Sequence, residues 1–575
     1  MNISNLLQYA LFLVIVALLV KPAGGYMARV FQGERTFLDP VLRPLERMLF
    51  RLYGINPKAE MVWSEYAIAF LSSCLCATLL LYAVLRLQSL LPWFYPTYMT
   101  TPMTPDLAMN TAFSFTTTTT WQAYGGESTM SYLSQTVGLT AQSFFGGAAG
   151  LAVGMAFIRG LAREKTPRLG NYWVDFTRAI LYVLLPLAFL GALILVWQGV
   201  PSNFLPYTEV TTLEGAKQVI AQGPVAPLEI IKNLGTNGGG FFNVNGAHPF
   251  ANPTPLTNFI GMLAISVLPA ALTYTFGTIT RRTRQGWLLF CVMTFLFAVG
   301  LVCNDHAEQG GNPLVAKSGN VAAVATAAQP GGNMEGKETR FGIAQTVLTA
   351  IATSNSSCGS TNSAHDSFTP LGGAVPLVNM LLGEIIYGGL GSGLYSILFI
   401  AFVGLFLAGL MIGRTPEYLG KELGPSELKM IMLYALIAPL GILILTSIAV
   451  IAKPGLDGLT TNTGIHGFSE ILYAYASCMT NNGQAFAGLS ANSPFYNITT
   501  VISLFMGRYF LAILALALAG RFAMQGRRPF SQGTLPTDTL LFAVIIVGAA
   551  LIIGGLSYFP ALTLGPLVEH FYLWR

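Results

Sequence analysis

The sequence predicts an all-α polytopic membrane protein with about ten transmembrane helices, built as four helix–pore-loop–helix repeats around one pseudo-fourfold pore plus flanking helices. Three observations lead there. Of 575 residues, 53% are hydrophobic and only 10% charged, whereas an ordinary soluble domain carries about 25% charged residues. Apolar runs of about 20 residues, enough to cross a bilayer, recur from residue 6 to residue 556 with no hydrophilic block large enough for a soluble domain. Between these runs, four short stretches rich in Gly, Ser, Thr and Asn return at nearly constant spacing.

In chain order the predicted spans are 5–24, 63–88, 133–160, 173–199, 256–279, 286–303, 374–413, 428–452, 498–522 and 537–556. No positive charge precedes the run from Leu6 to Val20 and Lys21 follows it, the pattern of an uncleaved first helix rather than a signal peptide. The run 374–413 is too long for one simple helix, and Gly388, Gly389, Gly391 and Gly393 interrupt it. A broken helix is expected, its irregular segment lining a cavity, because exposed backbone at membrane depth is tolerated only there.

Basic residues set the orientation. Clusters at Arg29 to Lys58, Arg163 to Arg168, Arg281 to Arg284, Arg414 with Lys421, and Arg521 to Arg528 are expected on the cytoplasmic side. The alternate connections, around 89–132, 200–255, 304–373 and 453–497, then face outside together with both termini. The net charge of +5 lies in these short loops, so it records topology and implies no nucleic-acid partner. Cys74, Cys76, Cys291, Cys303, Cys358 and Cys478 lack paired ligand spacing, and neither a disulfide nor a zinc site is expected. The acids Glu127, Glu209, Glu214, Asp305, Glu335, Asp366 and Glu470 fall in the outer connections, where they either concentrate cations or simply form a solvated surface.

Each outer connection holds a moderately apolar segment followed by a small-polar stretch. These read Thr116 to Gln122 (TTTTTWQ), Gly235 to Phe242 (GTNGGGFF), Thr353 to Gly359 (TSNSSCG) and Ser477 to Gln484 (SCMTNNGQ). Aligning Thr119, Asn237, Cys358 and Asn482 gives spacings of 118, 121 and 124 residues. Pro249, Pro370 and Pro494 each lie eleven residues beyond Gly238, Gly359 and Gly483. The single membrane domain 1–575 accordingly divides into a first span with its cytoplasmic loop (1–62), repeats at 63–168, 169–284, 285–421 and 422–528, and a last span with an outer tail (529–575).

A helix, a half-helix entering from outside, a small-polar loop and a returning helix leave the loop's backbone unpaired unless it faces protein or water. Four such loops can close on one axis. Gly lets carbonyls turn toward that axis without steric cost, and rings of neutral oxygens replace the hydration shell of potassium in channel filters. A half-helix ending inward adds partial negative charge for a cation. The stretches hold no carboxylate ring, which disfavours a divalent-cation filter. Gly238-Gly-Gly240 is followed by no Lys-Ser/Thr pair, so it is not a nucleotide loop, and no catalytic residue is expected on this chain.

The segments GTNGGGFFN (235–243), GRTPEYLGK (413–421) and GLSANSPF (488–495) resemble the potassium-binding A subunit of the bacterial Kdp potassium-transporting ATPase. MEGKETRFG (334–342), HDSF (365–368) and HGFSE (466–470) extend the resemblance, which runs from first span to last. It implies a multi-pass protein of the bacterial inner membrane in the superfamily of potassium transporters. Potassium would be the transported ligand. ATP would be used only by a partner, a KdpB-like P-type ATPase catalytic subunit that receives the ion through an intramembrane tunnel, with a KdpC-like subunit and a small KdpF-like peptide as further partners and lipid around the complex. In agreement, no Asp-Lys-Thr-Gly phosphorylation motif occurs.

Carried over position by position, the resemblance implies a filter of Thr118 and Thr119; Thr236, Asn237 and Gly238; Ser357, Cys358 and Gly359; and Asn481, Asn482 and Gly483, with Gln122 beside it. The first copy departs from the others, with Thr120 and Trp121 where they carry Gly. Cys358 either lends its backbone oxygen to the ion or is a buried structural thiol. Glu384 and Arg508 lie deep in apolar runs, where charges are costly and are paired or functional. They are either a structural ion pair or, with Gly391 and Gly393, a gate that turns potassium sideways into the tunnel. Arg414 marks either a subunit contact or a lipid anchor. The nearest competing function is a stand-alone or regulator-gated potassium channel or cation symporter of the same superfamily; a secondary solute transporter is more distant, because such proteins carry inverted repeats.

Overall fold

The computed structural model describes residues 3–90, 99–317, 324–326, 331–413, 416–529 and 535–574. Among them, ten helices are long and apolar enough to cross a membrane: Ile3–Gln32, Trp63–Leu90, Ser134–Ala162, Tyr172–Trp197, Pro255–Ile279, Thr283–Lys317, Ser392–Met411, Pro425–Ile451, Pro494–Met524 and Leu540–Leu573. The protein is an all-α polytopic membrane protein; its sheets are two-stranded hairpins and pairings in the connections. Several helices overrun their predicted ends. The first continues to Gln32 and the sixth to Gln309, because helical sequence persists beyond the apolar run that a hydropathy reading detects.

The run 374–413 is two helices. Pro370–Leu381 ends in a non-helical segment that passes through left-handed backbone at Gly383, Glu384, Tyr387 and Gly391, and a second helix then runs Ser392–Ile412. The break is the predicted one; its start at Leu382, before the four glycines, was not legible from their positions.

Four of the short helices between spans lead into the small-polar stretches: Pro105–Thr116, Val225–Leu234, Gly342–Asn355 and Gly464–Thr480. At 12, 10, 14 and 17 residues they fall short of the roughly 20 needed to cross. Each ends where one of the four small-polar stretches begins, so its negative dipole end meets that loop.

The returning helices share an N-terminal signal. Thr254 accepts from Thr257 N (3.2 Å), Thr369 from Gly372 N (3.2 Å) and Ser493 from Tyr496 N (3.3 Å), each followed by a proline at the first helical position. This pairs Pro255 with Pro370 and Pro494 and corrects the sequence alignment, which matched Pro249. Pro249 lies in a turn, because the second copy has a longer connection between Gly238 and the helix that starts at Pro255 than the third and fourth copies have after Gly359 and Gly483.

Packing between spans relies on close backbone approach. A Cβ on Gly24 of the first span would lie 2.5 Å from Ala271 O of the fifth. Half-buried Arg159 of the third span holds Asp175 of the fourth through both carboxylate oxygens, and Tyr66 of the second donates to the same carboxylate at 2.9 Å. Two outer acids are not the solvated groups that one sequence reading allowed: Asp305 and Glu470 are fully buried. Asp305 accepts from Asn5 and Tyr9 of the first span, both at 2.8 Å, and so anchors that helix.

Candidate ion-conduction site

The four small-polar loops share one backbone wrap. The amide of Thr119 donates to Ser114 O (3.0 Å), that of Asn237 to Lys232 O (2.8 Å), that of Cys358 to Thr353 O (3.3 Å) and that of Asn482 to Ser477 O (2.9 Å). In every copy the donor sits five residues beyond the acceptor, at the positions aligned from sequence. The preceding residue is left-handed in all four, with φ of 64° at Thr118, 51° at Thr236, 54° at Ser357 and 60° at Asn481. Non-glycine residues hold this conformation only when their surroundings enforce it. Such a turn after a helix swings the following peptide groups away from the helix axis.

The loops also touch one another in a closed cycle. Thr120 Oγ1 donates to Asn237 O, and Gln122 clamps Gly240 from both sides, accepting from its amide at 2.8 Å and donating to its carbonyl at 3.0 Å. A Cβ on Gly238 would stand 2.1 Å from Gly359 N, and one on Gly359 would stand 2.8 Å from Asn482 O. Asn482 Nδ2 donates to Thr353 O at 2.9 Å. The cycle closes where Asn481 Nδ2 donates to Thr119 Oγ1 at 3.0 Å and where a Cβ on Gly483 would meet Thr119 O at 1.9 Å. These glycines are therefore required by the neighbouring loop as much as by their own φ of 78° at Gly238 and 92° at Gly483.

Side chains at the aligned positions point back into the scaffold. Thr119, Asn237, Cys358 and Asn482 are all fully buried, and the Cys358 thiol faces Lys232 O at 3.8 Å. Cys358 is thus a buried thiol in a loop whose backbone lies at the cycle. The odd first copy has its own support. Thr120, left-handed at 50°, is tied to the second loop, and Trp121 is buried among Ile471, Ala474 and Tyr475 of the fourth short helix.

The sequence profile described as "Potassium-transporting ATPase A subunit" matches residues 10–571. The chain belongs to this family. Relatives named "Potassium-transporting ATPase potassium-binding subunit" include that of Methylorubrum extorquens, 53% identical over 571 residues that cover 99% of this chain and 98% of that one. The protein of the same name from Granulibacter bethesdensis is 50% identical over 575 residues, covering 100% and 99%. That from Solibacter usitatus is 51% identical over 573 residues, covering 100% and 99%.

In this member of the A-subunit family, Glu384 lies on the broken-helix segment against the third and fourth loops. It accepts from Ser357 Oγ and, at 3.1 Å, from Thr480 Oγ1. Arg508 sits in a π-helical turn, Met506–Phe510, of the ninth span and donates to Gly146 O at 3.2 Å. Glu384 and Arg508 bond to different partners and form no ion pair with each other, which removes the structural-pair alternative; both line one cavity with Ser357, Tyr395, Tyr434 and Thr480. Gly391 and Gly393 do not line it. A Cβ on Gly391 would lie 2.0 Å from Gly150 O, and one on Gly393 would lie 2.4 Å from Gly388 Cα. Their role in the structure is close packing. Arg414 lies outside the described residues.

Sequence reasoning missed the glycine face of the third span. A Cβ on Gly146 would strike Thr118 Cγ2 at 2.3 Å, one on Gly147 would lie 3.0 Å from Gly235 Cα, and one on Gly150 would lie 2.6 Å from Leu390 O. This helix is the bed on which the first two loops and the broken segment rest. The spacing of Gly146, Gly150 and Gly154 at every fourth residue was the available signal.

The family-like segments HDSF and HGFSE meet at the N-terminal end of the fourth short helix. His466 Nε2 lies 2.9 Å from Asp366 Oδ1 and its Nδ1 lies 2.7 Å from Glu569 Oε1 of the C-terminal segment. Burial alone would lower the imidazole's pKa, but the two carboxylates outweigh it and hold it up at about 10. Glu470, one turn on, is pushed by burial to about 7. A His raised above its unfolded value of about 6.5 contributes stability that is complete below that pH, shrinks as pH rises, and is gone beyond about pH 10. His466→Ala is therefore expected to destabilise the protein by about 2 kcal/mol at pH 6, a buried-pair loss reduced by partial exposure. Thermal melting of both proteins should converge as pH rises toward 10, and a gap independent of pH would refute the assignment.

Proposed function

We propose that this chain is the potassium-binding and translocating subunit of an ATP-driven uptake complex. It selects extracytoplasmic potassium with the four loops near residues 119, 237, 358 and 482 and passes it to a partner P-type ATPase subunit. One observation carries this reading: four loops with the same backbone wrap, each at a helix C-terminus, touch in a closed cycle made of backbone and neutral oxygens. Such a cycle offers a monovalent cation an oxygen shell without a formal charge to trap it. The family relationship supports potassium as the ion, because the relatives are named for binding it.

In this reading the backbone of Thr118, Thr119, Thr236, Asn237, Gly238, Ser357, Cys358, Gly359, Asn481, Asn482 and Gly483 forms the filter, and Gln122 holds the second loop in place through Gly240. Glu384 attracts the cation leaving the filter, while Arg508 repels it from a straight path. The apolar-walled cavity that both line, between Tyr395 and Tyr434, begins the tunnel toward the ATPase subunit. Both termini and the four loop entrances face outside the inner membrane. The repeats run 63–168, 169–284, 285–421 and 422–528, and Arg414 serves contact with a KdpB-like subunit. KdpC-like and KdpF-like chains complete the complex.

Purification of the tagged chain in mild detergent tests this. A P-type ATPase subunit should co-purify, and the complex should take up potassium into vesicles only with ATP. Recovery of the chain alone, conducting potassium in liposomes without ATP, would establish the channel reading instead.

A further inference from the structure

A lysine fully out of solvent stands in the second short helix, one turn before the loop. Lys232 forms an ion pair with Glu229 Oε2 at 2.8 Å and its ammonium donates to Asn245 Oδ1. Burying an ammonium is expensive, and an ion pair inside a protein is often no more stable than apolar residues of the same volume. Folding alone gives no reason for this pair. Its connections do.

The Lys232 carbonyl accepts from the amides of Asn237 at 2.8 Å and Gly238 at 3.1 Å and faces the Cys358 thiol, so its backbone sets the second loop. Its ammonium sets Asn245, which is left-handed at φ 54° and also accepts from Gly246 N at 2.8 Å. With its Oδ1 occupied twice, the Asn245 amide can be oriented only one way, and its Nδ2 donates to Gly359 O at 3.2 Å. A carbonyl oxygen has two lone pairs. The Asn245 bond takes one and fixes the direction of the other.

We infer that Lys232, acting through Asn245, is a positioning residue that aims the Gly359 carbonyl of the third loop and thereby sets discrimination among monovalent cations of similar size. This deepens the filter reading above and rests on it. The pair couples the second and third loops, so the width of the cycle there is held by a side-chain strut as well as by backbone contact. Potassium and rubidium differ little in radius, and a carbonyl held by a strut discriminates between them better than one free to follow the ion.

The test measures potassium and rubidium uptake by cells that depend on this protein for potassium, with the amount of complex in the membrane measured alongside. Asn245→Asp keeps an acceptor for the ammonium and removes the N–H that Gly359 receives, and the carboxylate charge it adds is paired with Lys232. It should raise KM for potassium about tenfold and reduce the preference for potassium over rubidium by a similar factor, the size of one lost amide–carbonyl hydrogen bond, with the maximal rate per complex within about twofold. Lys232→Met with Glu229→Gln removes the strut without stranding a charge and should do the same. Lys232→Gln with Glu229→Gln, which can still donate to Asn245, should recover most of the preference. Unchanged KM and preference in Asn245→Asp, or a loss confined to maximal rate or complex abundance, overturns the inference. Gly238→Asp separates it from the reading beneath: loss of selection there but not in Asn245→Asp defeats the strut alone, whereas intact selection in both defeats the filter.

Discussion

Replacing Gly238 by Asp is expected to raise KM for potassium by about 100-fold or more, the loss of one to two ion–carbonyl contacts at about 1.5–3 kcal/mol each. Two independent constraints meet at this residue. Its backbone is left-handed at φ 78°, and a Cβ would stand 2.1 Å from Gly359 N, closer than nonbonded atoms approach. The second and third loops must separate to admit any side chain, so the carbonyls on both are displaced. Gly483→Ala should produce a comparable loss, because its Cβ would meet Thr119 O at 1.9 Å across the fourth and first loops. Gly413→Ala serves as the control: it is also left-handed, at φ 68°, but nothing lies within 4 Å of its Cβ. It should cost only backbone strain and leave potassium affinity intact. Uptake kinetics over a range of potassium concentrations check all three, and wild-type affinity in Gly238→Asp would mean that these loops do not select the ion.

Replacing Glu384 by Gln is expected to cut the maximal uptake rate about 30-fold. The side chain is 2% exposed and, among the described residues, has no basic group within ion-pairing distance. For a cation about 7 Å away at an effective dielectric of about 20, a carboxylate supplies roughly 2 kcal/mol. The amide keeps the shape and can still accept from Ser357 and Thr480, so a loss in Gln reports the charge and not the packing. The effect should fall on the rate more than on KM, since Glu384 lies past the loops and not among the glycines that touch across them. Undiminished transport with Gln would leave Glu384 a structural residue of the broken helix.

The His466 cluster and the Glu384 cavity lie at opposite ends of the Gly464–Thr480 helix. His466 is held by Asp366 and Glu569 from two other parts of the chain, which ties the C-terminal helix to the fourth short helix. Glu384 accepts from Ser357 Oγ of the third loop and Thr480 Oγ1 of the fourth.

The sequence by itself determined what depends on local composition and periodicity. Ten apolar runs, five basic clusters and four small-polar stretches with spacings of 118, 121 and 124 residues follow from transfer of side chains into lipid and from the backbone freedom of short polar loops. Even the broken seventh span was legible, because glycines inside an apolar run that is too long leave few other solutions. The Ser/Thr-Pro start of the returning helices was equally present in the sequence, but a match counted from the loops selected Pro249 over Pro255, since an insertion shifts distance without shifting the cap.

Tertiary structure alone decided which groups meet. That Gly238 touches Gly359 and Gly483 touches Thr119, that Gly146 and Gly150 seat the loops, and that Gly391 packs instead of lining the cavity are facts about approach between segments far apart in sequence. A glycine's sequence context shows that its backbone is free; only its neighbours show what that freedom is used for. The same holds for charge. Glu384 and Arg508 read as a plausible pair because both are costly in lipid, yet Glu384 bonds to Ser357 and Thr480 and Arg508 to Gly146 O, and the connection of Lys232 to the third loop exists only because folding places Asn245 between them.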